Sequence, residues 1–397
     1  MRVFVVKLYL MNIGVIATMA VTNAAMGTSP SPISLNIRQL DKQRVVTAAN
    51  RYLSDTPVTI TSFHHAHGPR NPHEYYSQGD YWWPNPKNTS GPYIKRDGYS
   101  NPANFVADRE ALIRFSIHTA DLTAAYVITH DRKYAIQAVK NINAWFVNKA
   151  TMMNPNLRYS QAVHGRATGR SYGIIDTIHL VEVARSIQIL EQHKILSSAD
   201  MYAVHVWFSK YLHWLTTSAM GIKEMNARNN HGTCWVMQAA EFAELIGDRH
   251  MLRFCRQRFK TVLLPDQMAG DGSFPLELAR TKPYGYSLFN LDAMCMVCRI
   301  LSTPKDNLWH YSTPDGRNMK LALKFMYPYI KNKTRWPYRH DVEYWKDWPV
   351  RSPAMLFGGL ACHIPKYIKL WKTLNPNPTV PEILRNLPIR QPVLWVR

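Results

Sequence analysis

Two short stretches of the sequence carry side chains that together could remove a proton from a carbon next to a carboxylate. In the first, Asn230 and His231 place an amide and an imidazole side by side within the run Asn-Asn-His-Gly-Thr. In the second, Arg280 provides a fixed positive charge six residues before the phenol of Tyr286. Such a set can neutralise a carboxylate, take the neighbouring proton and protonate a departing alkoxide. These residue types predict β-elimination from an acidic sugar, which is the reaction of a polysaccharide lyase.

The roles of the proton-transfer groups stay open at this point. Asn230, Arg280 and His231 can each donate a hydrogen bond to a uronate carboxylate, and the guanidinium of Arg280 can do so in bidentate fashion. Asn230 and His231 fall at the predicted start of a helix, where free backbone N–H groups also favour negative charge. Tyr286 suits either the base or the acid, because we expect the charge of Arg280 to lower the pKa of its phenol. His231 is the other candidate base.

The composition indicates an anionic partner. The chain has 397 residues, a formal net charge of +21 and 46% hydrophobic residues, so it can bury a large core. The positive charge is spread along the chain, which predicts a charged surface or cleft and not a basic tail. The sequence lacks zinc-finger spacing and RNP-like aromatic signatures, which argues against nucleic acid. We expect a monomer that binds an anionic polysaccharide and needs no metal or cofactor.

The N-terminus has the pattern of a secretory signal. Arg2 and Lys7 form a short positive region, residues 8–21 are mostly apolar, and residues 22–24 are small or polar. This pattern predicts a cleaved signal peptide over 1–24 and a secreted or periplasmic mature chain. We expect residues 25–397 to form one domain without stable membrane association, because no later apolar run is long enough to span a bilayer.

Helical periodicity dominates the rest of the chain, with apolar residues three and four positions apart. The predicted helices come as hairpins about forty to fifty residues apart, the scale of helical-repeat arrays. Because no strict sequence repeat is visible, we predict an all-α (α/α) toroid, an incomplete barrel of helical hairpins. The predicted helices are 37–53, 105–129, 133–147, 171–190, 199–215, 230–246, 249–263, 286–301, 318–330 and 352–371.

Three long segments between the helices are rich in aromatic residues: 59–104, 151–171 and 334–351. Long loops on a rigid helical frame are where binding clefts form, so we expect these segments to line the cleft. Four histidines in the first segment lack carboxylate or cysteine partners at useful spacing, so they predict a polar cleft rim and not a metal site. They are His64, His65, His67 and His73.

Several motifs resemble the alginate lyase superfamily of polysaccharide lyases. They are Gly-Asp-Tyr-Trp-Trp-Pro-Asn-Pro at 79–86, Asn-Asn-His-Gly at 229–232, Pro-Leu-Glu-Leu-Ala-Arg at 275–280, Tyr-Gly-Tyr-Ser-Leu-Phe-Asn at 284–290 and Trp-Pro-Val-Arg at 348–351. The resemblance implies an (α/α) toroid that cleaves uronate polymers by β-elimination. It also implies that Asn230 and Arg280 neutralise the carboxylate while His231 and Tyr286 serve as base and acid.

The resemblance and the long loops also indicate a substrate class and the residues that would bind it. Members of the resembled superfamily cleave mannuronate-rich alginate, glucuronan or mixed polyuronates, and the motif at 284–290 is closer to the broader branch. The sequence departs from the family pattern at Gln78, Asn85 and His164, in loops expected to set sugar preference. The expected substrate-binding residues are His73, Tyr81, Trp82, Tyr159, Gln161, Arg170, Tyr284 and Arg351.

Two other functions fit the sequence less well. A glycoside hydrolase on a similar helical ring needs two carboxylic acids across the cleft, for which Asp80, Glu277 and Asp292 are available. A non-catalytic binder of acidic glycans needs only the basic, aromatic surface. The products separate these alternatives, because a lyase leaves an unsaturated uronate that absorbs ultraviolet light.

Overall fold

A computed structural model describes residues 35–396, and the predicted signal peptide lies outside them. Helices make up most of this part of the chain, and short strands occur only in the long loops. The helices are α1 (Ile37–Tyr52), α2 (Ala107–Thr129), α3 (Arg132–Phe146), α4 (Leu180–Gln192), α5 (Ser198–Thr217), α6 (Ala219–Met225), α7 (Asn230–Ile246), α8 (Arg249–Arg258), α9 (Leu264–Gln267), α10 (Pro275–Leu278), α11 (Pro283–Leu301), α12 (Met319–Lys331), α13 (Pro353–Ala361), α14 (Pro365–Thr373) and α15 (Pro381–Arg385).

The helices form two layers. An inner series, α2, α4, α7, α11 and α13, packs each helix against the next, and its members are buried along most of their length. The outer helices α3, α8, α12 and α14 pack on inner neighbours and bury only one face, as their apolar periodicity predicts. This two-layer arrangement is the predicted all-α (α/α) toroid.

Local sequence signals set many of the helix ends. Asn36, Asp131 and Asp248 each accept a hydrogen bond from a backbone N–H in the first turn of the helix that follows. Gly247 ends α7 with a positive φ of 77°, a conformation that glycine adopts without steric cost. Proline occupies the first turn of α11, α13 and α14, where its missing N–H costs nothing.

Three predicted helices differ from the structure. The stretch predicted as 171–190 starts as a 3-10 segment, Ser171–Thr177, before α4 begins. The stretch predicted as 249–263 ends in a π-helical turn, Phe259–Leu263. The stretch predicted as 352–371 is two helices, α13 and α14, because His363 takes a positive φ of 54° and Pro365 then starts a new helix. In addition, α5 packs mainly on α7, α6 and α3, and not on the helix before it, α4, as the hairpin pattern predicted.

Four short strands stiffen the first two long loops. β1 (Tyr76–Gln78) pairs in parallel with β4 (Tyr159–Ala162), and β2 (Trp82–Trp83) pairs with β3 (Ile94–Lys95) in antiparallel fashion. The β1/β4 ribbon therefore ties the loop 59–104 to the loop 151–171. Two predicted cleft segments are held together by backbone hydrogen bonds before any ligand binds.

All five cysteines are free thiols, and Cys295 and Cys298 are fully buried core residues of α11. Across residues 35–396, the structure contains no helix that is both long and apolar enough to cross a membrane. The same residues contain no group of three or more histidine, cysteine or acidic side chains placed to hold a metal ion.

Asp292 lies in the core of α11 and gives the fold a pH dependence that can be measured. Burial raises the pKa of Asp292 to about 7, although hydrogen bonds from the Ala354 backbone N–H and from Ser352 oppose the shift. Its Oδ2 has no hydrogen-bond partner among the described residues. The folded state therefore favours the protonated form, so stability is lost as the pH rises from about 4 to about 7.

We expect Asp292→Asn to remove this loss, because asparagine resembles the protonated acid. Relative to the parent, the variant should gain roughly 2–4 kcal/mol of unfolding free energy between pH 4 and pH 7 and little above that range. Urea unfolding at several pH values measures the difference. A constant difference across this range would contradict the assigned direction of the Asp292 pKa shift.

Candidate active site

One cavity of about 650 Å³ collects most of the predicted site residues. It lies between the loop 59–104, the β4 strand, the start of α7, the start of α11 and the C-terminal α15. The structure brings eight of the residues expected from the sequence to its wall: Tyr81, Trp82, Gln161, Arg170, Asn230, His231, Arg280 and Tyr286.

Asn230 is the first residue of α7 and is almost fully buried. Its backbone N–H and its side-chain Nδ2 each donate to the carboxylate of Glu277, both over 2.7 Å. Burial raises the pKa of Glu277, although these hydrogen bonds from Asn230 oppose the shift. An amide nitrogen carries two hydrogens, so one remains to be donated to a ligand. Glu277 thus fixes the orientation of the Asn230 amide.

His231 is oriented by a buried carboxylate. Its Nδ1 lies 2.5 Å from Oε1 of Glu224, a residue of α6 that is only 1% exposed. The neutral imidazole therefore carries its proton on Nδ1 and presents Nε2 as a free acceptor. The ring of Tyr172 packs edge-on against the imidazole at 5.1 Å between centroids. This arrangement prepares Nε2 to accept a proton.

The glycine that follows His231 is required by close packing at the start of α7. A Cβ atom on Gly232 would lie 2.2 Å from the backbone carbonyl oxygen of Ala227, far inside van der Waals contact. The turn from α6 into α7 can therefore bring Glu224 under His231 only with glycine at this position. This explains why glycine follows the Asn-Asn-His run in this chain.

Arg280 is held by a carboxylate from the first long loop. Its Nη2 and Nε donate to the two oxygens of Asp97 at 3.0 and 3.3 Å, and its guanidinium lies 4.5 Å from the ring centre of Tyr286. Burial lowers the pKa of Arg280, but Tyr286 and Asp97 more than offset this, so the net shift is upward. Arg280 is therefore a permanent cation at the cavity wall.

Tyr286 points its phenol into the cavity beside a second phenol. Its Oη is 2.7 Å from Oη of Tyr81 and 3.4 Å from Nη2 of Arg280. We expected Arg280 to lower the pKa of Tyr286, and this expectation is wrong. Burial raises the pKa of Tyr286 by more than Arg280 lowers it, so the phenol is protonated at neutral pH.

Asp341, from the third long loop, holds the first turn of α11 in place. Its two carboxylate oxygens accept from the backbone N–H groups of Tyr284 and Gly285, both over 2.8 Å. Burial raises the pKa of Asp341 to about 6, against the effect of these two hydrogen bonds. The loop 334–351 therefore contributes by anchoring the helix that carries Tyr286, and its residues do not line the cavity itself.

The cavity wall is strongly basic. Asp80 is the single acidic residue among those that line it, and Asp80 is ion-paired with Arg109 and Arg385. Although burial raises the pKa of Asp80, these two arginines bring it below its ordinary value. The cationic residues that line the cavity are Lys95, Arg170, Arg228, Arg280 and Arg385.

This distribution of acids disfavours a hydrolase. Asp80 is neutralised by two arginines, Glu277 is committed to Asn230, and Asp292 lies in the core of α11 away from the cavity. No pair of free carboxylic acids faces the other across the cavity, judged over the described residues. An inverting glycosidase requires such a pair.

Four expected substrate-binding residues do not line this cavity. Tyr284 is fully buried, and its hydroxyl donates to the Tyr329 carbonyl at 3.2 Å, so it does not reach the cavity. Arg351 donates to Asp41 at 2.9 Å and stacks on Trp371, which commits it to holding α1. Nδ1 of His73 lies 2.7 Å from the Met152 carbonyl, outside either large cavity. Tyr159 lines a second cavity instead.

Several residues that complete the site have no direct signal in the sequence. Glu224 and Asp97 stand alone in their segments, and only the folded chain shows that they contact His231 and Arg280. Arg385 reaches the cavity from near the C-terminus, where no motif was recognised. Glu277 could have been singled out from the sequence, since it lies within the recognised motif at 275–280. Its contact with Asn230, however, is visible only in the folded chain.

Comparisons with known proteins show the family of this chain. The family model described as alginate lyase matches residues 59–336, so the chain belongs to the alginate lyase family. It is a polysaccharide lyase with an (α/α) toroid fold. No curated protein matches the chain at a significant level.

Solved structures show the same fold. An alginate lyase from Bacteroides ovatus is 29% identical, covers 91% of this chain and 94% of its own, and superposes with a TM-score of 0.79. Alginate lyase A1-III from Sphingomonas species A1 is 14% identical over 89% of this chain and 94% of its own, with a TM-score of 0.54. A histidine-to-alanine variant of that enzyme, in complex with a tetrasaccharide, gives a TM-score of 0.57 at 14% identity over 92% and 97% of the two chains.

Proposed function

We propose that this chain depolymerises a polyuronate by β-elimination in the 650 Å³ cavity and leaves a 4,5-unsaturated uronate end. The observation that carries the proposal is the convergence of Asn230, His231, Arg280 and Tyr286 on one basic wall. Each of these side chains is already oriented by a neighbouring residue. Catalysis by such a set requires little reorganisation when substrate enters.

Asn230 and Arg280 are proposed to neutralise the uronate carboxylate. The free N–H of the Asn230 amide and the guanidinium of Arg280 would donate to its oxygens, which lowers the cost of placing negative charge on the adjacent carbon. Asp97 shares Arg280 with the substrate, so the guanidinium stays in position throughout the reaction. The C5 proton thereby becomes accessible to a base of ordinary strength.

His231 is proposed as the base and Tyr286 as the acid. Glu224 leaves Nε2 of His231 free to take the C5 proton and stabilises the imidazolium that results. Tyr286 holds its proton at neutral pH, because burial raises the pKa of its phenol, and can donate that proton to the departing O4. The reverse assignment would require the buried phenol to ionise first, which its raised pKa disfavours.

The substrate class follows from the charge of the cavity and from the relatives. Five cationic side chains line the cavity against one paired carboxylate, which favours a polymer with a carboxylate on each sugar. The Bacteroides ovatus relative is described as an alginate lyase, which favours alginate as the first polymer to test. Glucuronan is the second, because the motif at 284–290 resembles the broader branch.

We also propose that the enzyme acts outside the cytoplasm. The support is the charge and apolar pattern of residues 1–24, which predicts a cleaved signal peptide and leaves residues 25–397 as one catalytic domain. Mass spectrometry of the exported protein would identify the new N-terminus. A mature protein that starts at Met1 would contradict the proposal.

The experiment offers the purified protein alginate, glucuronan and animal glycosaminoglycans in separate reactions without added metal. We expect ultraviolet absorbance to rise with at least one polyuronate, because each elimination creates a conjugated double bond. Tyr286→Phe, purified in the same way, controls for contaminating lyases. New reducing ends without absorbance would indicate hydrolysis, and binding without any product would indicate a non-catalytic glycan binder.

A further inference from the structure

A second cavity, of about 680 Å³, lies beside the catalytic cavity and is used by no step of the proposed reaction. Across the described residues, its lining includes no aspartate or glutamate. It offers instead the guanidinium of Arg166, the imidazoles of His67 and His164, and the side chain of Tyr159. A wall of this kind favours an anionic ligand that also has a ring to pack against an aromatic side chain.

The two cavities share a wall. The ring of Trp82 lines the catalytic cavity, and the guanidinium groups of Arg166 and Arg170 each lie 5.4 Å from its centre. Arg166 belongs to the second cavity and Arg170 to the catalytic one. The β4 strand contributes Gln161 to the catalytic cavity and Tyr159 to the second. The second cavity therefore adjoins the catalytic one beside Trp82.

The turn that carries Arg166 is fixed before any ligand binds. Val163 and Ala167 exchange backbone hydrogen bonds of 2.8 and 3.0 Å across the turn. Nε of Arg166 donates to the Tyr93 carbonyl at 2.6 Å, which leaves the two terminal nitrogens of the guanidinium to face the cavity or the solvent. Gly165 packs so closely that a Cβ atom would lie 2.8 Å from Cα of Pro92. The guanidinium is therefore held in place and not merely tethered.

We propose that the second cavity is a distal subsite that binds a carboxylate-bearing sugar of the same polymer, with Arg166 on the carboxylate and Tyr159 against the ring. The inference rests on the proposed function and deepens it. It makes the enzyme selective for long chains over short oligomers, because only a chain that spans Trp82 can occupy both cavities. Occupation of this subsite would add binding energy remote from the reacting bond.

The test compares steady-state kinetics on the preferred polyuronate and on a trisaccharide prepared from it. Arg166→Ala should raise KM for the polymer about tenfold, the loss expected for one charge-assisted hydrogen bond. Its effect on the trisaccharide should be clearly smaller. Tyr159→Ala, which removes the ring proposed to pack against the sugar, should likewise raise KM more for the polymer than for the trisaccharide. Thermal melting of each variant checks that it folds.

Arg158→Ala is the matched control. Arg158 is exposed, lies next to Tyr159 in the sequence and lines neither cavity, but its loss removes the same charge. If Arg166→Ala and Arg158→Ala raise KM for the polymer equally, the effect comes from general electrostatic attraction. The proposal of a distal subsite is then overturned. The proposal is also overturned if Arg166→Ala raises KM for the polymer and for the trisaccharide by the same factor. If the parent enzyme forms no unsaturated product from any polyuronate, the proposed function itself fails, and the subsite fails with it.

Discussion

Tyr286→Phe should lower turnover by about two to four orders of magnitude, the usual contribution of a positioned proton-transfer group. The change keeps the ring and its packing against Arg280 but removes the one atom that can donate a proton to O4. KM and the melting temperature should change little, because the phenol faces the cavity and its main partner, Tyr81, can bond to water instead. Steady-state kinetics and thermal melting measure both expectations.

Tyr284→Phe is the control on the same helix. It also removes one phenol oxygen, but from a buried ring whose hydroxyl donates to the Tyr329 carbonyl. We expect it to keep most of its turnover and to lose about 1 kcal/mol of stability, because the carbonyl is left without this donor. Near-normal turnover in a folded Tyr286→Phe protein would show that the acid lies elsewhere, and Tyr81 would then be the next phenol to replace.

Glu224→Ala should lower turnover by about ten- to a hundredfold with little change in KM. Glu224 does not line the cavity, so it can act on the substrate only through His231. Without it, Nδ1 loses its acceptor, the imidazole is free to take the wrong tautomer or orientation, and the imidazolium loses its counter-charge. Glu224→Gln retains an acceptor oxygen but not the charge, so its turnover should lie between that of the parent and that of the alanine variant.

Stability separates this positioning role from a structural one. Oε2 of Glu224 is buried without a hydrogen-bond partner among the described residues, so its removal should cost little unfolding free energy. Glu241→Gln is the matched control, because Glu241 is also a buried carboxylate with an unpartnered Oε2, on α7, but it bonds to Gln188 and not to the site. Turnover should fall for Glu224 variants only. A Glu224→Gln protein with normal turnover would contradict the assignment.

The helical frame and the positions of the candidate site motifs could be predicted well from the sequence, because both depend on local spacing. α7 spans the residues predicted for it, and its first two residues are the amide and imidazole that suggested the chemistry. The alternation of buried and exposed residues that builds the toroid repeats every three to four positions, which a single sequence shows directly. Loop residues of the cavity could be predicted only where they belong to a recognised motif, such as the one at 79–86.

Contacts between distant segments could not be predicted. Asp97 contacts Arg280 across 183 positions, and even the contact of Glu224 with His231, seven positions further on, depends on how the chain turns between α6 and α7. Arg351 was expected at the cleft because of its motif, but the carboxylate of Asp41 draws it to α1. Helix geometry separates Tyr284 from Tyr286. Two positions along a helix turn the side chain by about 200°, so Tyr284 and Tyr286 cannot face the same cavity.

The pairing of Asp97 with Arg280 has a consequence for what the site can recognise. The guanidinium is never bare, since the protein supplies its own carboxylate when the cavity is empty. A small free acid such as acetate thus meets a cation whose charge is already partly satisfied, and it has no sugar rings with which to gain further contacts. A methyl-esterified chain has the rings but no charge to share. If the proposed function holds, the Asp97 carboxylate should therefore favour an acidic sugar chain, which presents both the charge and the rings, over ligands that have only one of them.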